Sequence, residues 1–233
     1  MEIIWHGHSC FELVSGGFSL VLDPYCHREL CGYPELDLEA DAVLCSHGHY
    51  GHSWTEAVSL RHGAHDPFEV ETLDSFHDVM GGRLRGENRI HILRAEGLKL
   101  VHLGDLGCRL TPEQLERISG CDAIMAPAGG ILTIEPYAAY ELCLASGARL
   151  VLPMHYGGGG LGNRRLRPVE EFTSLFTDRP VRRYEGGMGF DEQTPAQVAL
   201  FAPPGARGRD YAWIRSSLCW SSSAPWPSRP RAR

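Results

Sequence analysis

The sequence predicts an α/β fold with two sheets. Short apolar runs, separated by turns that contain glycine, fall into two groups, each followed by helices. Runs of this length and pattern are typical of strands. Hydrophobic residues make up 43% of the 233 residues and charged residues 22%. That composition is typical of a folded globular chain, and the length suits one large domain or a domain with an appendage.

The first group of runs predicts an antiparallel meander with strands at residues 2–5, 10–14 and 18–22. Asp23 and Pro24 end the third strand, and a loop is expected to follow over residues 25–40. Residues 42–45 are expected to form a short buried strand that leads directly into a histidine-rich segment.

The second group begins with a hairpin over residues 89–102, which turns at Glu96 and Gly97. A helix start follows at Thr111, where Gln114 completes a capping box. The remaining predicted elements are a strand at 123–126, a helix at 135–146, a strand at 149–153, a helix from Pro168 to about Phe176, and strands at 181–184 and 197–201.

Three histidines, His47, His49 and His52, fall within six residues directly after the predicted strand at 42–45. A tight loop at a strand end can bring three imidazoles together, and neutral imidazole is a standard ligand for zinc and similar metals. A structural role for three histidines bracketed by glycine and tyrosine is hard to find. The spacing therefore favours a metal site.

Further metal-competent residues occur at other breaks between predicted elements. His77 precedes a Gly-Gly pair, Asp105 follows the second strand of the hairpin, and His155 follows the strand at 149–153. Strand ends are where α/β scaffolds commonly place chemistry. Each residue alone is a weak signal, but the ordered set predicts one metal centre.

These residues lie in segments that resemble the metallo-β-lactamase superfamily. The matching segments are SHGHYGH (46–52), FHD (76–78), HLGDLG (102–107) and LPMHYG (152–157). The opening GHSCFEL…LVLDPY (7–25) and RGEN (85–88) are similar to compact bacterial metal-dependent hydrolases near the ascorbate-6-phosphate lactonase branch. The resemblance covers residues 1–202 and implies a four-layer αβ/βα sandwich, with two facing mixed sheets and outer helices.

The same resemblance implies the roles of the candidate ligands. His47, His49 and His77 would hold a first metal ion, His52 and His155 a second, and Asp105 would bridge both. The cofactor would be one or two divalent ions, with zinc expected and manganese or iron as alternatives. Asp105 and His155 are the predicted catalytic residues, beside a metal-activated water.

One position departs from the family pattern His-x-His-x-Asp-His, because Gly51 stands where the family has aspartate. That aspartate ligates the second metal in the family, and glycine has no side chain to do so. Three readings stay open: a weakened second site, a single-metal enzyme and an inactive relative. Asp66 and Asp78 are candidate replacement ligands.

Other residues receive weaker assignments. His8, Asp23 and His102 are expected either in structural roles or in support of the metal ligands. The group Arg164, Arg165 and Arg167 follows a glycine run and could bind a substrate phosphate or carboxylate, although a solvated loop is favoured.

The leading functional hypothesis is a metal-dependent hydrolase of a small anionic ester, lactone or phosphoester. A phosphodiesterase or nuclease and a non-catalytic metal-binding or sensing protein are the alternatives. The net charge of −7 argues against a nucleic-acid partner. No membrane-spanning run or leader is visible, so a cytoplasmic location is expected, while the oligomeric state stays open.

Residues 203–233 differ in composition from the rest of the chain. They contain six arginines and a single acid, together with many prolines and serines and three of the five tryptophans. No sustained period is present. We expect a disordered tail that is dispensable for folding of residues 1–202.

Overall fold

The computed structural model describes residues 1–204, which form two mixed sheets and a two-stranded ribbon. The strands, in chain order, are β1 (Glu2–Gly7), β2 (Cys10–Ser15), β3 (Phe18–Leu22), β4 (Leu38–Ala40), β5 (Ala42–Leu44), β6 (Val58–Leu60), β7 (Glu69–Phe76), β8 (Glu87–Ala95), β9 (Leu98–His102), β10 (Ala123–Pro127), β11 (Leu150–Met154), β12 (Val181–Tyr184), β13 (Gly187–Gly189) and β14 (Gln197–Phe201). The α-helices are α1 (Pro112–Ile118), α2 (Pro136–Ser146) and α3 (Val169–Thr173).

The first sheet has the strand order β13-β1-β2-β3-β5. The predicted antiparallel meander of β1, β2 and β3 is confirmed, and β5 then pairs with β3 in parallel. β5 is an edge strand and its residues are only half-buried, so the expectation of a buried strand here was wrong. Its position at the edge leaves the histidine-rich loop that follows free to reach across to the second sheet.

The second sheet has the strand order β12-β14-β11-β10-β9-β8-β7. Strands β12, β14, β11, β10 and β9 run in parallel, and the predicted hairpin of β8 and β9 adds an antiparallel edge that β7 completes. The carboxyl ends of parallel neighbours meet at one edge of a sheet. The loops after β9 and β11 are therefore brought to the same edge.

The helices follow the signals that the sequence predicts. The capping box of α1 is confirmed, since the Thr111 hydroxyl accepts from Gln114 N at 3.2 Å and the Gln114 side chain accepts from Thr111 N at 2.9 Å. Gly147 ends α2 in the left-handed conformation. α3 is shorter than predicted, because Pro168 caps it and it ends at Thr173.

The predicted sandwich of two mixed sheets is confirmed, but its helices are few and unevenly distributed. Within residues 1–204, each of the α-helices follows a strand of the second sheet, and none follows a strand of the first. After β5 the chain forms a 3-10 turn at Thr55–Ala57 and then β6, which pairs with β4 in the ribbon.

Buried apolar side chains from both sheets form one continuous core, which includes Phe11, Leu22, Leu100 and Val151. This core fixes the two sheets relative to each other and so fixes the loops at their shared edge. No helix within the described residues is long and apolar enough to span a membrane. The predicted tail, from residue 205 onward, lies outside the described residues.

Candidate metal centre

Seven side chains meet at one edge of the two sheets, and each follows the end of a strand. The loop after β5 supplies three histidines, and the others follow β1, β7, β9 and β11. They comprise the six ligands predicted from sequence together with one residue expected in a supporting role: His47, His49, His52, His77, Asp105, His155 and His8.

Asp105 lies at the centre of the cluster and is buried. Its Oδ2 is 3.1 Å from the Nε2 atoms of His52, His77 and His155, and 3.9 Å from His47 Nε2. Four imidazoles therefore surround one carboxylate oxygen. This geometry suits a residue that is shared between two cation positions.

The first group of histidines, here called the outer triad, consists of His47, His49 and His77. Their candidate ligand atoms all lie within 4.8 Å of one another. The ring centroid of His47 lies 4.6 Å from that of His49 and 5.0 Å from that of His77. His49 is exposed, so the outer triad borders solvent.

The second group, here called the inner triad, consists of His8, His52 and His155, all of which are buried. Their ligand atoms again lie within 4.8 Å of one another. The His8 ring centroid is 4.5 Å from that of His155 and 5.0 Å from that of His52. The sequence analysis placed His8 only among supporting residues, so its membership of this triad is a finding of the structure.

Asp23 holds His52 in place and connects the two triads. Its Oδ2 lies 2.8 Å from His52 Nδ1, which leaves His52 Nε2 facing Asp105. The same carboxylate accepts from the Ser46 amide and hydroxyl, each at 2.6 Å, and the Ser46 hydroxyl lies 3.0 Å from His47 Nδ1. A carboxylate behind a ligating histidine fixes its tautomer and orientation.

His102 does not line the cavity but connects two of the loops that do. Its Nε2 donates to the Ser9 carbonyl at 3.1 Å, and its Nδ1 accepts from the Gly104 amide at 3.2 Å. Burial lowers the pKa of His102, which keeps the ring neutral in this tautomer. The loops that carry His8 and Asp105 are thereby held together.

Asn88 is a positioning residue that the sequence analysis did not identify. Its Oδ1 accepts from the Asp105 amide at 2.9 Å, and its Nδ2 donates to Ser75 Oγ and the Leu103 carbonyl. Gly104 has a positive φ of 57°, and a Cβ there would overlap Asn88 and Ser46. The only sequence signal was the Asn in RGEN, which had no assigned role.

Burial and neighbouring charges shift the pKa values of the cluster residues in different directions. Burial, aided by the nearby His52, lowers the pKa of His47 to about 3, and burial together with His155 and His52 holds the pKa of His8 well below its usual value. For His52, burial acts in the opposite direction to Asp105 and Asp23, which together raise its pKa to about 10. Burial would raise the pKa of Asp105, but His155 and His52 hold it well below its usual value.

The cluster fits a divalent transition metal. Among the described residues, several of its buried atoms have no hydrogen-bond partner, including His47 Nε2, Asp105 Oδ1 and His155 Nδ1. A buried polar atom without a partner is costly, and it is rare in folded proteins. Imidazole and carboxylate are ligands that suit zinc, iron and manganese. A bound cation would give the unpartnered His47 Nε2 and Asp105 Oδ1 a partner.

The cluster opens into a cavity of about 560 Å³, within the range typical of small-molecule sites. Its wall is completed by Glu29, Leu30, Tyr50, Leu132, Asn163 and Leu166.

The structure does not bring the three candidate substrate-binding arginines into this wall. Arg164, Arg165 and Arg167 are absent from the lining formed by the described residues. Arg167 instead pairs with Glu135 at 3.1 Å and Glu171 at 3.0 Å. All three arginines are exposed, and a substrate contact by any of them stays a prediction.

The two candidate replacement ligands also lie outside the cluster. Asp78 accepts hydrogen bonds from four backbone amides, those of Met80, Gly82, Leu84 and Arg85. It therefore shapes the loop after His77. Asp66 is exposed and accepts from the Phe68 amide at 2.8 Å. Neither belongs to a group of converging ligand atoms within residues 1–204.

The chain is similar in sequence to a known domain family and to proteins named metal-dependent hydrolases. Residues 2–155 match the model of the β-lactamase superfamily domain. A UPF0173 metal-dependent hydrolase of Thermoplasma acidophilum is 26% identical over 67% of this chain and 83% of its own, and one of Nitratidesulfovibrio vulgaris is 25% identical over 67% and 80%.

A solved structure is also similar to this chain in fold and sequence. A Thermotoga maritima protein, assigned to the Zn-dependent hydrolases of the metallo-β-lactamase superfamily, has 32% identity and a TM-score of 0.67. The match covers 86% of this chain and 98% of that one. The narrower resemblance to the ascorbate-6-phosphate lactonase branch is not supported by these relatives. The chain belongs to the metallo-β-lactamase superfamily, and its relatives are UPF0173 metal-dependent hydrolases.

Proposed function

We propose that this protein is a metal-dependent hydrolase that cleaves a small ester, lactone or phosphoester by means of a metal-activated water. The observation that supports this most directly is the cluster of six histidines around the buried carboxylate of Asp105, open to a cavity of small-molecule size. The names of the relatives, which are metal-dependent hydrolases, agree with it.

The outer triad and Asp105 would hold one ion, and the inner-triad members His52 and His155 with Asp105 would hold a second. A divalent metal bound there would polarise the substrate oxygen and lower the pKa of a bound water from 15.7 toward about 7. Zinc is the expected metal, because imidazole-rich sites suit it, with iron or manganese as alternatives.

Asp105 is assigned two tasks in this reaction. Its Oδ2 faces the histidines, while its Oδ1 has no partner within the described residues and can accept a hydrogen bond from the attacking water. The low pKa of this carboxyl keeps it ionised throughout the neutral range. It therefore orients the water and is a weak proton acceptor.

The cavity wall favours a carboxylic ester or lactone over a phosphoester. Its side chains in the described part of the chain include Leu30, Leu132 and Leu166 and the acidic Glu29, but no lysine or arginine. A phosphate dianion normally requires Arg or Lys forks for its outer oxygens. An anionic substrate group, as predicted from sequence, would have to bind the metal ions themselves.

The test is a substrate panel with the full chain after metal removal and reconstitution with zinc. The panel contains a p-nitrophenyl ester, a five- and a six-membered lactone, p-nitrophenyl phosphate and bis-p-nitrophenyl phosphate. We expect zinc-dependent turnover of an ester or lactone, loss on chelation and recovery on zinc addition. Turnover of only the phosphodiester would favour the phosphodiesterase alternative. Full zinc occupancy without any turnover on this panel and a broader ester library would favour the non-catalytic binding alternative.

A further inference from the structure

Gly51, which stands where the family has aspartate, lies next to the ring of His8. The φ angle of Gly51 lies outside the left-handed region, so the backbone does not require glycine at this position. A Cβ built on Gly51 would lie 3.4 Å from His8 Nε2 and 3.7 Å from His8 Cδ2. These are ordinary van der Waals distances, so a side chain at position 51 would lie directly against the His8 ring.

His8 is also placed as a ligand. It lies with His52 and His155 in the inner triad, whose ligand atoms fall within 4.8 Å of one another. Both of those histidines contact Asp105 Oδ2 at 3.1 Å, so His8 faces the same cation position as they do. Together with the shared Asp105, three imidazoles would surround this position, and imidazole and carboxylate are ligands that suit zinc.

The backbone of His8 is held by hydrogen bonds, whereas its ring packs against Tyr33, His52 and His155. Its φ of 52° lies in the left-handed region, which is uncommon for residues other than glycine, although histidine, asparagine and aspartate adopt it more often than most. The His8 carbonyl accepts from Trp5 Nε1 at 3.1 Å and from the His155 amide at 3.3 Å, which stabilises this conformation. Within residues 1–204 the buried Nδ1 of His8 has no hydrogen-bond partner. A supporting histidine would be expected to hydrogen-bond a ligand, and this one does not.

We propose that His8 is a protein ligand of the second metal ion, so that this chain keeps a ligand there although it lacks the family's aspartate at position 51. The inference rests on the metal binding that the proposed function requires, and not on hydrolysis. It predicts a complete second site in which a neutral imidazole stands where the family pattern has a carboxylate.

The experiment measures zinc affinity in variants that remove His8, restore the aspartate at position 51, or do both. The full chain is stripped of metal and titrated with zinc against a competing chelator, and metal per chain is measured separately. His8→Gly removes the ring and leaves a residue that adopts a φ of 52° without strain. Gly51→Asp restores the family's aspartate while His8 is present, and the double variant restores it in the space that His8 leaves.

We expect two zinc ions per wild-type chain. His8→Gly should weaken the second site by at least about 10–100-fold, the loss typical even for residues behind a ligand, and leave the first within about threefold. Gly51→Asp alone should not strengthen the second site, and the double variant should regain most of the lost affinity. His6→Ala is the matched control, because His6 pairs with Glu12 at 2.9 Å outside the cluster, and it should change neither site.

Three results would overturn the inference. They are a second site unaffected by His8→Gly, a wild type that binds only one zinc at saturation, and a Gly51→Asp variant that binds the second zinc more tightly with His8 present. Melting of the metal-free variants checks folding, and His8→Asn, which tolerates the same φ, is used if the glycine variant does not fold. Two zinc sites with the expected losses but without turnover would refute hydrolysis and leave this inference standing.

Discussion

The outer triad borders solvent, whereas the inner triad is enclosed by the two sheets. His47, His49 and His77 come from two neighbouring segments of the chain, and His49 is exposed. The inner triad draws on the ends of β1 and β11 as well as the loop after β5, and all three of its histidines are buried. Both triads draw on both sheets, since His77 follows β7 of the second sheet, and the triads differ in that only the inner one is fully buried.

The two triads also differ in how Asp23 supports their histidines through hydrogen bonds. Asp23 supports the inner triad directly through His52 at 2.8 Å, while it reaches the outer triad only through Ser46. Asp105 is common to both. These differences rank the variants below by the number of metal sites that each should disturb.

The largest effect is expected for Asp105→Asn, which should remove the distinction between the triads by weakening both. The variant keeps the shape of the side chain but removes the negative charge that four imidazoles face. Chelator competition should show both zinc affinities reduced by more than about 10–100-fold. Asp66→Asn is the control, since Asp66 is exposed and lies outside the cluster formed by the described residues. Retention of one site at wild-type affinity would mean that Asp105 is not shared.

A selective effect is expected for Asp23→Asn, which should weaken the inner triad more than the outer. Asparagine tolerates the φ of 47° at this position, but it no longer offers a charged acceptor to His52 Nδ1. We expect about a 10–100-fold loss of affinity at the second zinc site and a smaller loss at the first. Ser46→Ala is the matched variant, because it removes the hydroxyl that links Asp23 to His47 but leaves the contact of Asp23 with His52, and it should affect the outer triad by a smaller factor. Equal losses at both sites in Asp23→Asn would contradict the asymmetry.

The smallest effect is expected for truncation after Ala202, which should leave both triads unchanged. The continuous core already closes with β14, whose last residue Phe201 is buried, and the composition changes at Pro203. Thermal melting should give a Tm within about 4 °C of the full chain, roughly 1 kcal/mol for a domain of this size. A larger drop, or a loss of zinc, would show that residues 203–233 contribute to the domain.

Elements with strong local signals were predictable, and those that depend on neighbours were not. The meander, the β8–β9 hairpin and the α1 capping box were found because their signals are local. β7 was missed because it is a polar edge strand with mostly exposed residues, and β13 was missed because Gly-Met-Gly carries no strand preference. Both become strands only because a partner strand offers them hydrogen bonds.

The sequence by itself determined the fold class and six residues of the cluster, Asp105 and five histidines, because each follows a strand in a motif of fixed order. It also determined that position 51 lacks the aspartate. Only the tertiary structure decided what stands in that place. His8 and Gly51 are 43 positions apart, and they meet because β1 and the loop after β5 belong to one sheet whose edge faces the second. Contact between such distant residues arises from packing of the whole core, which no local pattern of residues specifies.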